Sequence, residues 1–264
     1  MIRILSHYNK KTKRKKMRYM KTLGVVASRY ASTRFPGKAL ADIGGKPMVW
    51  WVYQQALKAK KLDEVVVATD DVRIEEVCKN YGMNVIMTSP DNKTTANRMY
   101  EVSQSMEADF YITINGDEPM IDPMAIDAAI PDCVPQDIEY GTNTICKMDN
   151  AIEVMDASNI KVVFNDKYEA LYMSRTPIPY PYGTLDFTYY KHVGVLGYNK
   201  KMLEFYQNST PGYFEKVESI DTLRFLDYGK KLQFFPAEIE KSLSVDTPKD
   251  LEMVCKYMRE RNLI

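Results

Sequence analysis

Residues 23–38 read LGVVASRYASTRFPGK. Six small or apolar residues give way to a Pro-Gly pair and three cations, Arg29, Arg34 and Lys38. A short apolar run stopped by such a stretch reads as a strand buried on both faces that ends in a loop. Strands of this kind belong to parallel sheets covered by helices, and ligands bind such sheets beyond the carboxyl ends of the strands. The loop after LGVVAS is therefore a candidate ligand site. Ala31, Ser32 and Gly37 let a ligand approach the backbone, and the cations suit the oxygens of a polyphosphate. A solvated basic loop is the alternative that charge alone leaves open. The spacing matches neither GxxxxGK[ST] nor GxGxxG.

The rhythm on either side supports the same fold class. PMVWWVYQQALKAKKL (47–62) has helical spacing, EVVVATD (64–70) reads as a strand, and VRIEEVCKNYG (72–82) reads as a helix capped by Gly82. NVIMTS (84–89), a helix over about 96–106 and FYITING (110–116) continue the alternation. The expected fold is α/β: a Rossmann-like, mostly parallel sheet with helices on both faces. From about residue 150 the pattern changes. NIKVVFN, ALYMSRTPIP and YYKHVGVLGYN read as strands around an irregular Pro/Tyr/Gly stretch, so 150–215 is expected to be a smaller mixed-sheet insert for acceptor contacts or dimerisation. FEKVESIDTLRFLDYG reads as a helix, KLQFFPAEI as a strand, and TPKDLEMVCKYMRERN as a closing helix with Thr247 as N-cap and Pro248 at its first position.

Composition narrows the classes. The chain has 264 residues, 45% of them hydrophobic, enough for one sizeable core. We expect a single domain over 22–264. Cys78, Cys133, Cys146 and Cys255 are too scattered for a zinc motif and read as reduced thiols of a cytoplasmic protein. His7 and His192 are the only histidines, which excludes a multi-histidine metal site. No apolar run reaches the roughly 18 residues of a membrane span. Residues 1–21 hold nine Lys or Arg and no acid, leaving a body of net charge −8. That body is not a general nucleic-acid binder. The basic head reads as a flexible extension, with Met17 or Met20 as alternative starts, ahead of a lipid- or RNA-binding arm.

Two carboxylates complete the picture. NGDEPMI (115–121) places Asp117 just after a strand, and SVDTPKDLE (244–252) places Asp246 just before a helix. Carboxylates beside a phosphate loop suit Mg²⁺, and two reaching one site would suit phosphoryl or nucleotidyl transfer. Taken alone, Asp246 reads as a helix cap.

RYASTRFPGKALADIGGKPM, NGDEPMI, LYMSRTPIP, HVGVLGY, ESIDTLR and SVDTPKDLE follow one another along the chain. In this order they resemble the 3-deoxy-manno-octulosonate (Kdo) cytidylyltransferase, or CMP-Kdo synthetase, family. The resemblance spans about Leu23 to Tyr257. It implies transfer of CMP from CTP to an acidic sugar with release of pyrophosphate, for surface polysaccharide synthesis, by a cytoplasmic homodimer. It implies that Arg29, Lys38, Asp117 and Asp246 carry catalysis, with Asp117 and Asp246 holding Mg²⁺. Ala27, Ser28, Ser32, Arg34 and Asn115 would join Arg29 and Lys38 around the nucleotide. Arg98, Arg175, His192, Glu218 and Asp221 would face the acceptor.

The departures from the family pattern gather on that acceptor side. Where the family has HxSGTxR, this chain has NKTTANR (92–98). Asn115 replaces a Gln, and Asp221–Thr222 replace a Glu-Gln pair. We expect an acceptor other than Kdo itself: a modified octulosonate, another carboxylated sugar or a phosphorylated metabolite. Drift in a site that still takes Kdo is the alternative, as is a nucleotide-binding homologue without turnover.

Overall fold

The structure is a computed structural model and describes residues 19–239 and 243–264. Residues 1–18 of the basic head lie outside the described residues.

The N-terminal half follows the alternation read from the sequence. β1 (Thr22–Ser28) leads through the loop to a hairpin of β2 (Asp42–Ile43) and β3 (Lys46–Pro47), then α1 (Met48–Ala56). Next come β4 (Glu64–Thr69), α2 (Val72–Asn80), β5 (Val85–Met87), α3 (Thr95–Ser105) and β6 (Phe110–Asn115). Gly44 and Gly45 form the hairpin turn with φ of 60° and 83°, the left-handed pair that a tight two-residue turn requires. α2 and α3 begin where Asp71 and Thr94 accept from the backbone N–H of Arg73 and Asn97.

The second half continues with α4 (Pro123–Ala128), β7 (Gly141–Lys147), α5 (Ala151–Met155), β8 (Lys161–Phe164), β9 (Ala170–Ser174) and β10 (Tyr190–Tyr198). α6 (Lys200–Asn208), α7 (Tyr213–Glu218), α8 (Leu223–Asp227), β11 (Leu232–Pro236) and α9 (Pro248–Glu260) complete it. The sheet order is β11-β7-β10-β6-β1-β4-β5. β1 pairs in parallel with both β4 and β6, and β10 runs antiparallel between β6 and β7.

Both sheet faces are apolar because both are covered. Leu23 and Val25 of β1 pack with Val66, Met99, Tyr111, Met202 and Phe225 on one face. Val26 packs with Val49, Val52, Val67, Ile74 and Ile114 on the other. Alternate residues of one short run thus serve two cores, which is why LGVVAS lacks a polar stripe.

The 150–215 segment divides between two bodies. β8 and β9 form an antiparallel pair beside the upper part of β10. The lower part of β10, Val195–Tyr198, is paired to β6, and Met202, Leu203 and Tyr206 of α6 pack into the main core. The helix read over 214–229 is two short helices, because Ser219 adopts φ 54°, ψ 49° and breaks it. Behind that break, Arg224 donates Nε to Glu215 Oε2 at 2.8 Å and Nη2 to Oε1 at 2.6 Å, joining α7 to α8 in a buried pair. Removing either partner would strand a buried charge, a loss of about 3–5 kcal/mol.

Close packing at β10 yields a direct test. A Cβ at Gly197 would lie 2.3 Å from Phe110 Cε1 and 2.5 Å from Thr142 Oγ1. Gly197→Ala is expected to destabilise the protein by about 1–3 kcal/mol, read as a lower urea midpoint with the slope preserved. An unchanged midpoint would mean that β10 and β6 do not pack this closely.

Candidate active site

The loop after β1 is closed by its own backbone. Gly37 N donates to Tyr30 O at 2.9 Å, and Gly37 sits at φ 72°. The Tyr30 ring is roofed by the Arg73 guanidinium, 3.3 Å from its centroid. This closed loop delivers Lys38 to the carboxyl edge of the sheet. There, Lys38 Nζ lies 2.7 Å from Asp117 Oδ2 and 3.1 Å from Asp246 Oδ1. Arg34 Nη2 reaches Asp246 Oδ1 at 3.0 Å. Asp117 follows β6. Asp246 is held there because Val245 N donates to Asp117 O at 2.8 Å. The N-cap of α9 is Thr247, whose Oγ1 and N both donate to Asp250 Oδ2, so Asp246 is released from capping. Those bonds, opposing the effect of burial, hold the Asp250 carboxyl below the usual range.

Two cavities meet at this edge. One, of about 360 Å³, is lined by Ala27, Ser28, Arg29, Ser32, Arg34, Lys38, Asn115, Asp117 and Asp246. The structure thus brings the residues expected around a nucleotide into one space. Ser28 Oγ is buried there with no hydrogen-bond partner among the described residues, and a Cβ on Gly116 would lie 2.7 Å from it. The second cavity, of about 170 Å³, is bordered by Arg175, His192 and Asp221, together with Thr95, Thr113, Tyr206 and Thr222. Asn115 and Thr95 border both, so the two spaces adjoin. A broader hollow of about 900 Å³ opens on the other side of His192, again touching Asn115, Asp117 and Asp246.

The acceptor-side residues divide into those that face the space and those that shape it. Arg175 spends three donors on carbonyls of Ala157, Glu218 and Ser219, at 3.0, 2.8 and 3.0 Å. Glu218 accepts from Ser174 Oγ at 2.6 Å and from Arg175 N at 3.0 Å, and so stands behind the cavity as a brace. Arg98 is placed differently from the sequence expectation. It borders the larger, Arg29-containing cavity, fully buried, with Nη2 2.7 Å from Asp70 Oδ2 and Nη1 donating to Thr88 Oγ1. The altered residues of 92–98 are mostly structural too. Asn92 donates to Glu101, and Asn97 Nδ2 donates to Gln207 Oε1 at 2.8 Å. Of that stretch, Thr95 and Ala96 border the smaller cavity.

The sequence reading missed Thr113 and Tyr206. Both lie in the wall of the smaller cavity, and among the described residues the buried Thr113 hydroxyl has no hydrogen-bond partner. Thr113 carried a faint signal, as a hydroxyl within the otherwise apolar FYITI. Asp221 opens onto the same cavity; surrounding protein raises its carboxyl above the usual range, while Arg224 and Arg29 oppose the shift. His192 is the reverse case: burial pushes its imidazole down to about 4, so the ring is neutral.

Among the described residues no group of three or more His, Cys, Asp or Glu converges as a metal site. Asp117 and Asp246 nonetheless point at one place, marked by Lys38 Nζ. Two carboxylates with ligand phosphates suffice for Mg²⁺. The four cysteines are free, and burial pushes the Cys78 and Cys146 thiols up to about 12 and 11. No helix among the described residues is long and apolar enough to cross a membrane.

A family model described as cytidylyltransferase matches residues 23–232. The 3-deoxy-manno-octulosonate cytidylyltransferase of Escherichia coli is 38% identical over 240 residues, covering 91% of this chain and 97% of that protein. The 8-amino-3,8-dideoxy-manno-octulosonate cytidylyltransferase of Shewanella frigidimarina is 38% identical over 237 residues, covering 88% and 96%. A solved structure of CMP:2-keto-3-deoxy-manno-octonic acid synthetase complexed with CTP superimposes with a TM-score of 0.84 at 36% identity, covering 91% and 99%.

The neutral histidine predicts a pH effect. The unfolded chain protonates this group near 6.5, whereas the folded protein does so only near 4. Below 6.5 unfolding therefore takes up a proton, and stability falls as pH drops through that window. His192→Gln is expected to remove on the order of 3 kcal/mol of this loss. Urea unfolding at pH 7.5, 6, 5 and 4 measures it; parallel profiles for the two proteins would show that His192 is not held neutral.

Proposed function

The chain belongs to the cytidylyltransferase family that includes the 3-deoxy-manno-octulosonate enzymes, and from that membership we propose that it transfers CMP from CTP to a carboxylated octulosonate, most readily one bearing an amino group. It is a CTP-dependent nucleotidyltransferase. The observation that carries the proposal is the junction at Asn115. It sets a cavity with Lys38, Arg29 and two carboxylates beside one with Arg175, His192 and Asp221. A triphosphate in the first and a sugar hydroxyl in the second would meet there.

In this reading the sugar hydroxyl oxygen attacks the α-phosphorus. The bond from that phosphorus to the bridging oxygen breaks, pyrophosphate leaves, and the hydroxyl proton passes to water. Arg29, Arg34 and Lys38 offset the charge of the triphosphate and of the departing pyrophosphate. As phosphate oxygens draw Lys38 away, Asp117 and Asp246 are left converging on one place, and they would hold Mg²⁺. When bound, that ion would add charge neutralisation and make the attacking hydroxyl more acidic. Ser28 Oγ supplies an unused hydrogen-bonding group on the nucleotide side. Positioning across the junction supplies the rest.

On the acceptor side, the remaining guanidinium donors of Arg175 suit the sugar carboxylate. Asp221, one methylene shorter than the Glu of the family pattern, leaves room for a group that can donate to it. An ammonium fits best, because a positive group beside this carboxylate favours its charged form. The 8-amino sugar acid named for the Shewanella relative has such a group. The product would be an activated sugar for surface polysaccharide synthesis. Homodimerisation belongs to the same proposal, supported by the exposed side chains of Tyr180, Tyr182 and Leu185 in the loop before β10. We place the enzyme in the cytoplasm with its CTP.

Two measurements test this. Asp117→Asn is expected to fold normally and lose about 100-fold or more in kcat with CTP and Mg²⁺; retained turnover would remove Asp117 from the chemistry. Pyrophosphate release should be followed with Kdo, its 8-amino analogue and other acid sugars. The amino sugar is expected to give the highest kcat/KM, and Asp221→Asn to erase that preference. Equal use of both sugars by the unaltered enzyme would return the assignment to Kdo with a tolerant pocket.

A further inference from the structure

β10 changes partners half-way along. Tyr190 and Lys191 pair with β8, whereas Val195–Tyr198 pair with β6. Against β7 the register slips at the same point: His192 faces Ile145, but Leu196 faces Asn143. Four residues of β10 thus span two of β7, an irregularity that opens the hydrogen-bond ladder. The fully buried Asn143 side chain fills the gap. Its Nδ2 donates to Val193 O and to Val195 O, both at 2.8 Å. Its Oδ1 lies 2.8 Å from His192 Nδ1.

This arrangement admits one assignment of protons. Carbonyl oxygens only accept, so the two at Val193 and Val195 must both face the amide NH₂. Asn143 Oδ1 is therefore the atom at His192, and an amide oxygen also only accepts. Nδ1 must carry the hydrogen. A neutral imidazole has one donor and one acceptor, so Nε2 is left bare. The backbone holds the ring in place as well, since His192 N donates to Ile160 O at 2.9 Å. His192 borders both the smaller cavity and the broad hollow.

We propose that Asn143 is a positioning residue that locks His192 as the Nδ1–H tautomer and thereby presents Nε2 as a fixed acceptor for a hydroxyl of the incoming sugar. The hydroxyl's destination rests on the proposed acceptor site; the tautomer does not. The device gives the cavity wall a group that accepts but cannot donate. A polyol chain is then read by where its O–H points, complementing the donors of Arg175. It also ties acceptor recognition to the irregularity in β10, because the amide that repairs the ladder is the amide that orients the ring.

The test uses the full chain labelled with ¹⁵N in its imidazoles, which gives two histidine signals, His7 and His192, assigned with His192→Gln. Long-range ¹H–¹⁵N spectra of the ligand-free protein at neutral pH are expected to show His192 as the Nδ1–H form, the less common tautomer of a free histidine side chain. The Nε2–H form, or averaging between the two, would overturn the proposal without bearing on the enzyme's reaction. Asn143→Ala, checked for folding by circular dichroism, is then expected to release the tautomer. It should raise KM for whichever panel sugar is turned over by about tenfold, with KM for CTP unchanged. A folded variant that kept both the tautomer and the acceptor KM would also overturn it. If the variant does not fold, the spectrum of the unaltered protein decides.

Discussion

A single ammonium group joins the three parts of the chain on which the site depends. Lys38, Asp117 and Asp246 come from the loop after the first strand, the end of β6 and the entry to the last helix. Two carboxylates brought this close repel one another, and Lys38 between them removes that penalty. Because it lies between them, Lys38 can be exchanged for other positive charge. The pairing that organises the site is also the one that a triphosphate and its counter-ion would rearrange. The neighbouring constraints make sense on these terms. Gly37 turns the loop so that Lys38 points inward, Val245 N is bonded to Asp117 O, and Thr247 takes over the cap so that the Asp246 carboxylate is left for the site.

The smaller cavity is built differently, beside an irregularity in the sheet. β7 carries Thr142, Asn143 and Thr144 fully buried, each spent on a main-chain carbonyl or, for Asn143, on the slipped part of β10. Such a strand sits in the middle of a sheet only because every polar group is matched. The slip between β10 and β7 begins at His192, which borders the smaller cavity, and Ser219, Arg175 and Glu218 shape its far wall. Rigid polar bonding around an open space is what selectivity among hydroxylated sugars requires.

β1, β4, β6 and the helices between them were legible because their apolar spacing is set locally and their ends carry recognisable caps. The two carboxylates and the cationic loop were legible because chemistry-bearing residues at strand ends are conspicuous. β7 was not legible: GTNTICK reads as polar, and only the carbonyls of Ala125, Ala129, Val193 and Val195 make its side chains suitable for burial. Arg98 was read as facing the acceptor. Its partner Asp70 lies 28 positions away, at the end of β4, and the ion pair turns the guanidinium into the protein.

The sequence by itself determined the fold class, the presence of a cationic loop at the end of the first strand, and the residue types gathered there. These follow from periodicity and composition, which act over a few neighbouring residues. The tertiary structure decided which of those residues meet. It put Lys38 between Asp117 and Asp246, sent Glu218 and Arg98 to brace the walls, and brought the hydroxyls of Thr113 and Tyr206 to a cavity with Asp221. It also decided which nitrogen of His192 faces outward. A tautomer depends on what stands 2.8 Å away, and here that neighbour comes from a strand 49 residues earlier, slipped against its partner.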